Sequence, residues 1–295
     1  MGTPKFDDEG YITNAIVYCH FFNGSYSSVY DLPPITSENG PFDLNEYFII
    51  SISALGYPES CSPSTTGLKY NFPSYTIKDK VNFKRQFLKE NYKIKKLCGI
   101  FGIGLGGYDA FTWACEYPDE MDFLVVIDSS YKTNGYRYVI SKTIDGIIES
   151  SDDYYKNIYS DAQTRNLVAV NKLIYSNFYS KGTFQNMTND EIDVFMEEFV
   201  DEGLFFDIYD LKYRNDSIMY YDITDKLSNV KAKTIVFYPE EDLFHSPEFD
   251  ALPLKDLIDD CEVTPFYAKE DISYKDDFVK INDDLIKFMN KLYKK

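Results

Sequence analysis

The stretch LCGIFGIGLGG, at residues 97–107, decides the fold of this 295-residue chain. Its apolar first half predicts a buried β-strand that ends at Phe101, and its second half is a glycine-rich turn. The apolar segment 108–116 predicts a helix, which Tyr117-Pro118-Asp119 ends. A strand, a tight glycine turn and a helix in this order are typical of α/β proteins.

The rest of the chain repeats this alternation on both sides of the turn. Amphipathic patterns predict helices over 77–91 and 276–292, and apolar runs predict strands over 14–22, 47–53, 123–128, 232–238 and 262–267. Such alternation implies a mostly parallel central sheet covered by helices on both faces. Since 133–228 shows no strong strand pattern, we expect it to form a helical cap, inserted in a core made of 1–132 and 229–295.

Composition and charge narrow the possible functions. The formal net charge of −18 predicts repulsion of nucleic-acid phosphates, and no apolar run reaches the length of a membrane span. We therefore predict neither a nucleic-acid partner nor a membrane partner. With no apolar N-terminal segment and five scattered cysteines that form no C-x-x-C pair, we expect a cytoplasmic protein. The two histidines, His20 and His245, lie far apart in the sequence, so no metal site is predicted.

The glycine turn supports two interpretations. Gly102, Gly104 and Gly107 satisfy G-x-G-x-x-G, and Asp128 ends the next strand, where a dinucleotide-binding fold places its ribose-binding acid. The same layout is that of a nucleophile elbow, G-x-S-x-G, with Gly104 in place of the serine. Two strand–loop units precede this turn, whereas the dinucleotide fingerprint usually lies in the first βαβ unit. The elbow interpretation is therefore preferred, and it requires no cofactor.

The order of the segments also favours the elbow. A hydrolase sheet needs an oxyanion loop after an early strand, a nucleophile after a central strand and an acid after a late strand. The chain supplies CHFFNG at 19–24, the glycine turn at 102–106, and Glu241-Asp242 in these three places. The backbone N–H groups of Phe22 and Leu105 are the candidate oxyanion donors.

Together these segments resemble the homoserine O-acetyltransferase family of α/β-hydrolase-fold enzymes. The resemblance covers roughly 14–292. The segments that match are short and spread along the chain: CH at 19–20, NGS at 23–25, YFII at 47–50, TG at 66–67, TIKD at 76–79, GG at 106–107, WA at 113–114, YPD at 117–119, 221–237 and LF at 243–244. It implies acyl transfer from acyl-CoA to a small hydroxyl acceptor through an acyl-serine, in a pocket shaped by a helical cap. It also implies additional N-terminal strands, so we expect part of the sheet to be absent from this chain.

The chain departs from the family where the chemistry is expected. The family's serine aligns with Gly104, and its histidine aligns with Lys275. Its acid aligns with Glu241 or Asp242, and the ungapped match at Leu243-Phe244 slightly favours Glu241. The resemblance places His20 in the oxyanion loop, where we expect it to shape the loop by hydrogen bonds. We expect His245 near the pocket mouth, as the candidate substitute base.

These departures predict a loss of covalent catalysis. Without a serine hydroxyl no acyl-enzyme forms, and without a triad histidine no proton relay operates near neutral pH. We therefore predict a pseudoenzyme that binds a small acyl or amino-acid-like ligand, or a protein partner at an exposed sheet edge. Two alternatives remain open: an active acyltransferase or hydrolase with a non-standard site, and an NAD(P)-binding oxidoreductase.

Overall fold

A single six-stranded sheet organises the chain. The computed structural model describes residues 1–179, 181–266 and 274–293. All neighbouring strands are parallel, in the order β2-β1-β3-β4-β5-β6. The strands are β1 (Ala15–Cys19), β2 (Phe48–Ser51), β3 (Leu97–Ile103), β4 (Met121–Ile127), β5 (Lys233–Pro239) and β6 (Cys261–Phe266). The predicted α/β-hydrolase architecture, with its parallel sheet, is confirmed.

Helices cover both faces of the sheet and fill the connection between β4 and β5. Because β1, β3 and β4 are buried on both faces, their sequences are nearly continuous apolar runs, interrupted by the exposed Asp122 near the start of β4. The helices are α1 (Pro33–Thr36), α2 (Ile77–Asn91), α3 (Leu105–Glu116), α4 (Gly135–Glu149), α5 (Asp152–Tyr155), α6 (Asp161–Phe178), α7 (Lys181–Gln185), α8 (Asn189–Leu204), α9 (Ile208–Met219), α10 (Leu254–Leu257) and α11 (Tyr274–Tyr293).

Each face of the sheet has its own apolar core. On one face, α2 and α3 pack against the sheet, and on the other α1 and α11 do so. Helix α2 begins where the sequence predicts, because Thr76 and Asp79 form a reciprocal capping box at its first turn. Three charged side chains are buried together between α2 and α3. Asp109 forms ion pairs with both Lys80 and Lys84, and all three side chains are at most 2% exposed.

The segment between β4 and β5 is helical, as predicted for a cap. Helices α4 to α9 all lie within 133–228, and the described residues of this segment contain no strand, only an isolated bridge between Lys132 and Asp222. Helices α4, α6 and α9 share an apolar cluster of their own. The exact limits of an inserted domain stay a prediction.

The β2 side is one of the two edges of the sheet, and the sequence analysis predicts a protein partner at an exposed edge. Here the chain's own N-terminus pairs with the strand, because the Met1 amine donates to the Ile49 carbonyl at 2.7 Å and Ile49 N–H donates back to Met1 at 2.9 Å. The edge is therefore covered at that point. A protein partner at this edge stays a prediction.

Candidate functional site

The turn after β3 has the geometry of a nucleophile elbow. Gly104 joins β3 directly to α3, with φ of 54° and ψ of −121°, a backbone conformation that side-chain-bearing residues rarely adopt. Its N–H donates to the Ile127 carbonyl of β4 at 3.0 Å, which fixes the turn above the sheet. The position predicted for the nucleophile therefore stands at the carboxyl end of the central strands.

The other glycines of the turn are required by close packing, whereas Gly104 is not. A Cβ on Gly102 would lie 2.3 Å from the Gly106 carbonyl oxygen, and one on Gly106 would lie 1.9 Å from the Cys19 oxygen. By contrast, the nearest atom to a Cβ on Gly104 is the Phe21 Cβ, at an ordinary contact distance of 3.5 Å. There is space for a side chain at the apex, and the sequence leaves that space empty.

The oxyanion loop follows β1 and is held by the cap. The backbone carbonyl of Phe22 accepts a hydrogen bond from Arg214 Nη1 of α9 at 2.7 Å. Arg214 is buried, and its guanidinium also lies over the Tyr57 ring at 4.0 Å. Phe22, Leu105 and Gly104 line one cavity, so the two predicted oxyanion donors belong to the same site.

His20 is a structural residue of this loop. Its Nδ1 donates to the Phe21 carbonyl at 3.0 Å, and its Nε2 accepts from the Ala54 N–H at 3.0 Å. Both ring nitrogens are engaged only in the neutral form, and burial lowers the pKa of His20 to about 3. The ring therefore links the loop after β1 to the Ala54 backbone, and its role in an oxyanion loop stays a prediction.

A buried cluster of two carboxylates and one imidazole lies beside the elbow. His245 Nδ1 is 3.1 Å from Asp128 Oδ1 and 3.6 Å from Asp242 Oδ2. Asp242 follows β5 and is held by a hydrogen bond from the Phe244 N–H to its Oδ1, at 2.7 Å. Glu241 is exposed, so the geometry favours Asp242 over Glu241 as the acid of this site.

The three groups shift each other's pKa values. Burial raises the pKa of Asp242 to about 7, and the nearby Asp128 charge adds to the effect. Burial opposes charge on His245, but the hydrogen bond to Asp128 and the nearby Asp242 carboxylate outweigh it and raise the pKa of His245 well above 6.5. Burial also disfavours ionised Asp128, but the hydrogen bond to His245 keeps the pKa of Asp128 below its ordinary value. The Asp128 carboxylate therefore favours the protonated form of the His245 ring.

The raised pKa of Asp242 predicts a pH-dependent stability. Between about pH 4 and pH 7 the folded protein binds a proton at Asp242 that the unfolded chain has released, so this group's contribution to stability falls as pH rises. Asp242→Asn stays neutral, and its free energy of unfolding should improve relative to wild type from pH 4 to pH 8. Urea denaturation across this range measures the difference. Glu241→Gln, at the exposed neighbour, is the control and should show no such trend.

The cavity in front of this cluster is mainly apolar and has a volume of about 230 Å³. It lies between the elbow, the oxyanion loop and the cap. None of the described residues that line it is a serine, threonine or cysteine. They are Phe21, Phe22, Asn23, Gly104, Leu105, Tyr108, Asp128, Arg137, Ile144, Ile174, Tyr175, Phe178, Tyr179, Ile218, Phe244 and His245.

Some site residues were not predicted from the sequence, and one predicted residue is not described. Asp128 was considered only as a ribose-binding acid, and Arg137 and Tyr108 were not singled out. The only available signal was that Asp128 ends the strand next to the elbow strand. Lys275 lies in the first turn of α11, and its side chain is outside the described part of the structure.

Asp128, Asp242 and His245 also have the donor types of a metal site. Their ligand atoms all lie within 4.8 Å of one another, and two carboxylates with one imidazole can hold a divalent cation. Counting histidines along the sequence gave no sign of this grouping. The ion pair between His245 and Asp128 already accounts for the geometry, and the prediction that no metal is bound stays a prediction.

Known proteins match both the sequence and the fold. The family model described as alpha/beta hydrolase fold matches residues 14–266. A probable acyltransferase from Methanothermobacter thermautotrophicus is 35% identical over 288 residues, which cover 98% of this chain and 89% of that protein. A homoserine O-acetyltransferase from Chloroherpeton thalassium is 35% identical over 131 residues, which cover 42% of this chain and 34% of that protein.

Solved structures have the same architecture. A homoserine O-acetyltransferase from Bacillus anthracis superimposes with a TM-score of 0.84 at 16% identity, over 97% of this chain and 90% of that chain. An acetylester hydrolase from Corynebacterium glutamicum gives a TM-score of 0.83 at 19% identity, over 97% and 88% of the two chains. At these identities the likeness shows the fold alone.

The chain belongs to the α/β-hydrolase fold family. Within that family it is homoserine acyltransferase-like, which confirms the resemblance seen in the sequence. The alternative of a dinucleotide-binding fold is wrong, because the glycine turn follows the third strand of a hydrolase sheet and Asp128 pairs with His245. Among the described residues, no helix combines the length and apolar character needed to cross a membrane.

Proposed function

We propose that this protein is a homoserine acyltransferase-like α/β-hydrolase that has lost serine catalysis and binds a small acyl or amino-acid-like ligand in the cavity above Gly104. One observation carries the proposal: the elbow keeps its backbone geometry, while its apex residue has no side chain. A nucleophilic Oγ is the atom on which an acyl-enzyme forms, and glycine cannot supply one.

The surrounding residues do not replace the missing hydroxyl. The described lining of the cavity contains no serine, threonine or cysteine, and its imidazole is paired with two carboxylates. Its carboxylate neighbours raise the pKa of that ring, which favours the protonated form and makes the ring poorly suited to act as a base. Among its described lining residues, the site thus offers no serine, threonine or cysteine nucleophile, and its one imidazole is paired with carboxylates.

The features that bind a ligand are retained. The cavity is enclosed by the oxyanion loop and by cap residues such as Ile144 and Ile174. Arg214 holds the Phe22 carbonyl, which fixes the loop that carries one oxyanion donor. A lined cavity with fixed donors and no reactive hydroxyl supports binding without covalent turnover.

A second candidate is a hydrolase that activates water directly. It is favoured by the orientation of His245, since Nδ1 faces Asp128 and Nε2 makes no hydrogen bond within the described residues. A water above Gly104 could then lose its proton to Nε2. This mechanism requires the neutral ring and would become faster as pH rises above the pKa of His245.

Turnover assays distinguish the two candidates. The wild-type chain is incubated with acetyl-CoA plus homoserine and, separately, with p-nitrophenyl acetate, and its mass is checked for an acyl adduct. We expect no adduct and no activity beyond the rate enhancement of about 10³–10⁴ over water that an oxyanion hole alone can give. His245→Gln is the matched variant and should leave any residual rate unchanged. An activity that rises with pH and disappears in His245→Gln would establish the water mechanism instead.

A further inference from the structure

An unpaired guanidinium lies in the wall of the cavity. Arg137, in the first turn of α4, is 6% exposed, and its Nε and Nη1 are buried without a hydrogen-bond partner in the described part of the chain. It forms no ion pair with any described carboxylate. Its plane lies over the Phe244 ring, 3.9 Å from the ring centroid. This contact orients the group but does not neutralise it.

A buried cation in this position needs a counter-charge. Leaving an ionised side chain unpaired away from water is strongly unfavourable, and arginine does not escape by losing its proton. Burial lowers the pKa of Arg137, which the nearby Tyr108 partly offsets, but the ordinary value is so high that the group remains charged. Asp242 and Asp250 act on Arg137 only through their charges, without an ion pair, so a carboxylate or other anion from outside can supply the direct partner that the described residues do not.

Other hydrogen-bond donors face the same cavity. The Tyr108 hydroxyl is buried, lines the cavity and has no partner among the described residues. His245 presents Nε2, while Asp128 faces its other ring nitrogen. The carboxylates of Asp128 and Asp242 both face His245, and neither forms an ion pair with Arg137.

The remaining wall is apolar and limits the class of anion. Ile144, Ile174 and Ile218 line the cavity, and its volume of about 230 Å³ suits a small ligand. A fully hydrated inorganic ion would make no favourable contact with these apolar side chains. A carboxylate head with a short apolar tail satisfies both parts of the wall.

We propose that the cavity binds a small organic carboxylate, with Arg137 as the residue that pairs with the carboxylate and the isoleucines around its tail. This inference rests on the proposed function, because it treats the cavity above Gly104 as a site that binds a ligand without covalent turnover. It assigns the chemical class of the ligand and the residue that selects that class.

Paired probes test the charge of the ligand. Hexanoate and phenylacetate are titrated calorimetrically into the full chain beside hexanamide and phenylacetamide, which have nearly the same shape but no charge. We expect each carboxylate to bind at least tenfold more tightly than its amide. Equal affinities within a pair, no binding of either carboxylate, or binding of inorganic phosphate alone would each overturn the inference.

Substitution of Arg137 tests the assigned residue. Arg137→Gln should weaken carboxylate binding at least tenfold, while the melting temperature of the ligand-free protein stays the same or rises, because an unpaired buried charge has been removed. Arg165→Gln, at an exposed arginine of α6, is the control and should bind as wild type does. If Arg137→Gln does not fold, the paired probes on wild type decide the question alone. Carboxylate binding unaffected by Arg137→Gln would refute the assignment yet leave the proposed function standing, whereas turnover in the assays above would refute the function itself.

Discussion

Replacing Asp109 with alanine is expected to lower the free energy of unfolding by about 3–5 kcal/mol, the usual cost of removing one partner of a buried ion pair. Asp109 Oδ1 is 2.9 Å from Lys80 Nζ, and Oδ2 is 2.7 Å from Lys84 Nζ. All three side chains are excluded from water between α2 and α3. Without the carboxylate, two ammonium groups would face each other with no counter-charge.

The pKa values of the group explain why this loss should be large. Burial lowers the pKa of Lys80 more than Asp109 raises it, so the pKa of this lysine lies below its ordinary value even with Asp109 in place. Burial acts in the same direction on Lys84, but Asp109 outweighs it and holds the pKa of Lys84 above its ordinary value. In Asp109→Ala both lysine pKa values fall in the folded state. The unfolded variant then binds more protons than the folded variant does. Its free energy of unfolding should therefore rise as pH increases toward the ordinary lysine pKa.

Urea denaturation at pH 7 and pH 9 measures both effects. Asp122→Ala is the matched control, because it breaks an ion pair with Lys96 of similar length, 2.6 Å, whose side chains are 47% and 63% exposed. An exposed pair contributes on the order of 0–1 kcal/mol, so this variant should stay close to wild type. A loss below 1 kcal/mol in Asp109→Ala would mean that water or a rearranged side chain reaches the buried lysines.

Restoring the serine at the elbow, Gly104→Ser, is expected to lower the free energy of unfolding by about 1–3 kcal/mol. The reason is the backbone, since φ of 54° with ψ of −121° is strained for any residue that has a Cβ. It is not crowding, because the nearest atom to an added Cβ is 3.5 Å away. Glycine at this position removes the strain that a nucleophile would impose.

Two alanine variants separate strain from other causes. Gly104→Ala should lose as much stability as Gly104→Ser, because both carry the Cβ and only one carries the hydroxyl. Gly146→Ala should instead gain about 0.5–1 kcal/mol, since Gly146 lies inside α4 and an added Cβ meets nothing within 4 Å. Thermal and urea unfolding of the three variants give the comparison. A melting temperature of Gly104→Ser equal to or above that of wild type would rule out strain relief as the advantage of glycine.

Much of the fold could be predicted from local sequence. Apolar runs gave strands that lie within one or two residues of most observed limits, because a parallel sheet covered on both faces needs continuous apolar segments. The bounds of α2 followed from its amphipathic pattern, and in the structure the Thr76 and Asp79 side chains cap its first turn. The elbow and the oxyanion loop were located by the order of motifs along the chain, which is fixed by the topology of the sheet.

The sequence by itself determined the scaffold and the absence of a hydroxyl at Gly104, because both depend on residue type at a position along one strand–turn–helix unit. Only the tertiary structure decided which side chains meet in the cavity. Asp128, Asp242 and His245 come together because the ends of β4 and β5 are neighbours in the sheet. In the turn after β5, Asp242 faces this cluster, whereas the preceding residue, Glu241, is exposed. The packing of α4 brings Arg137 to the same cavity. The local sequence does not predict this orientation, because an arginine on a helix has the same pattern whether it faces water or a buried cavity.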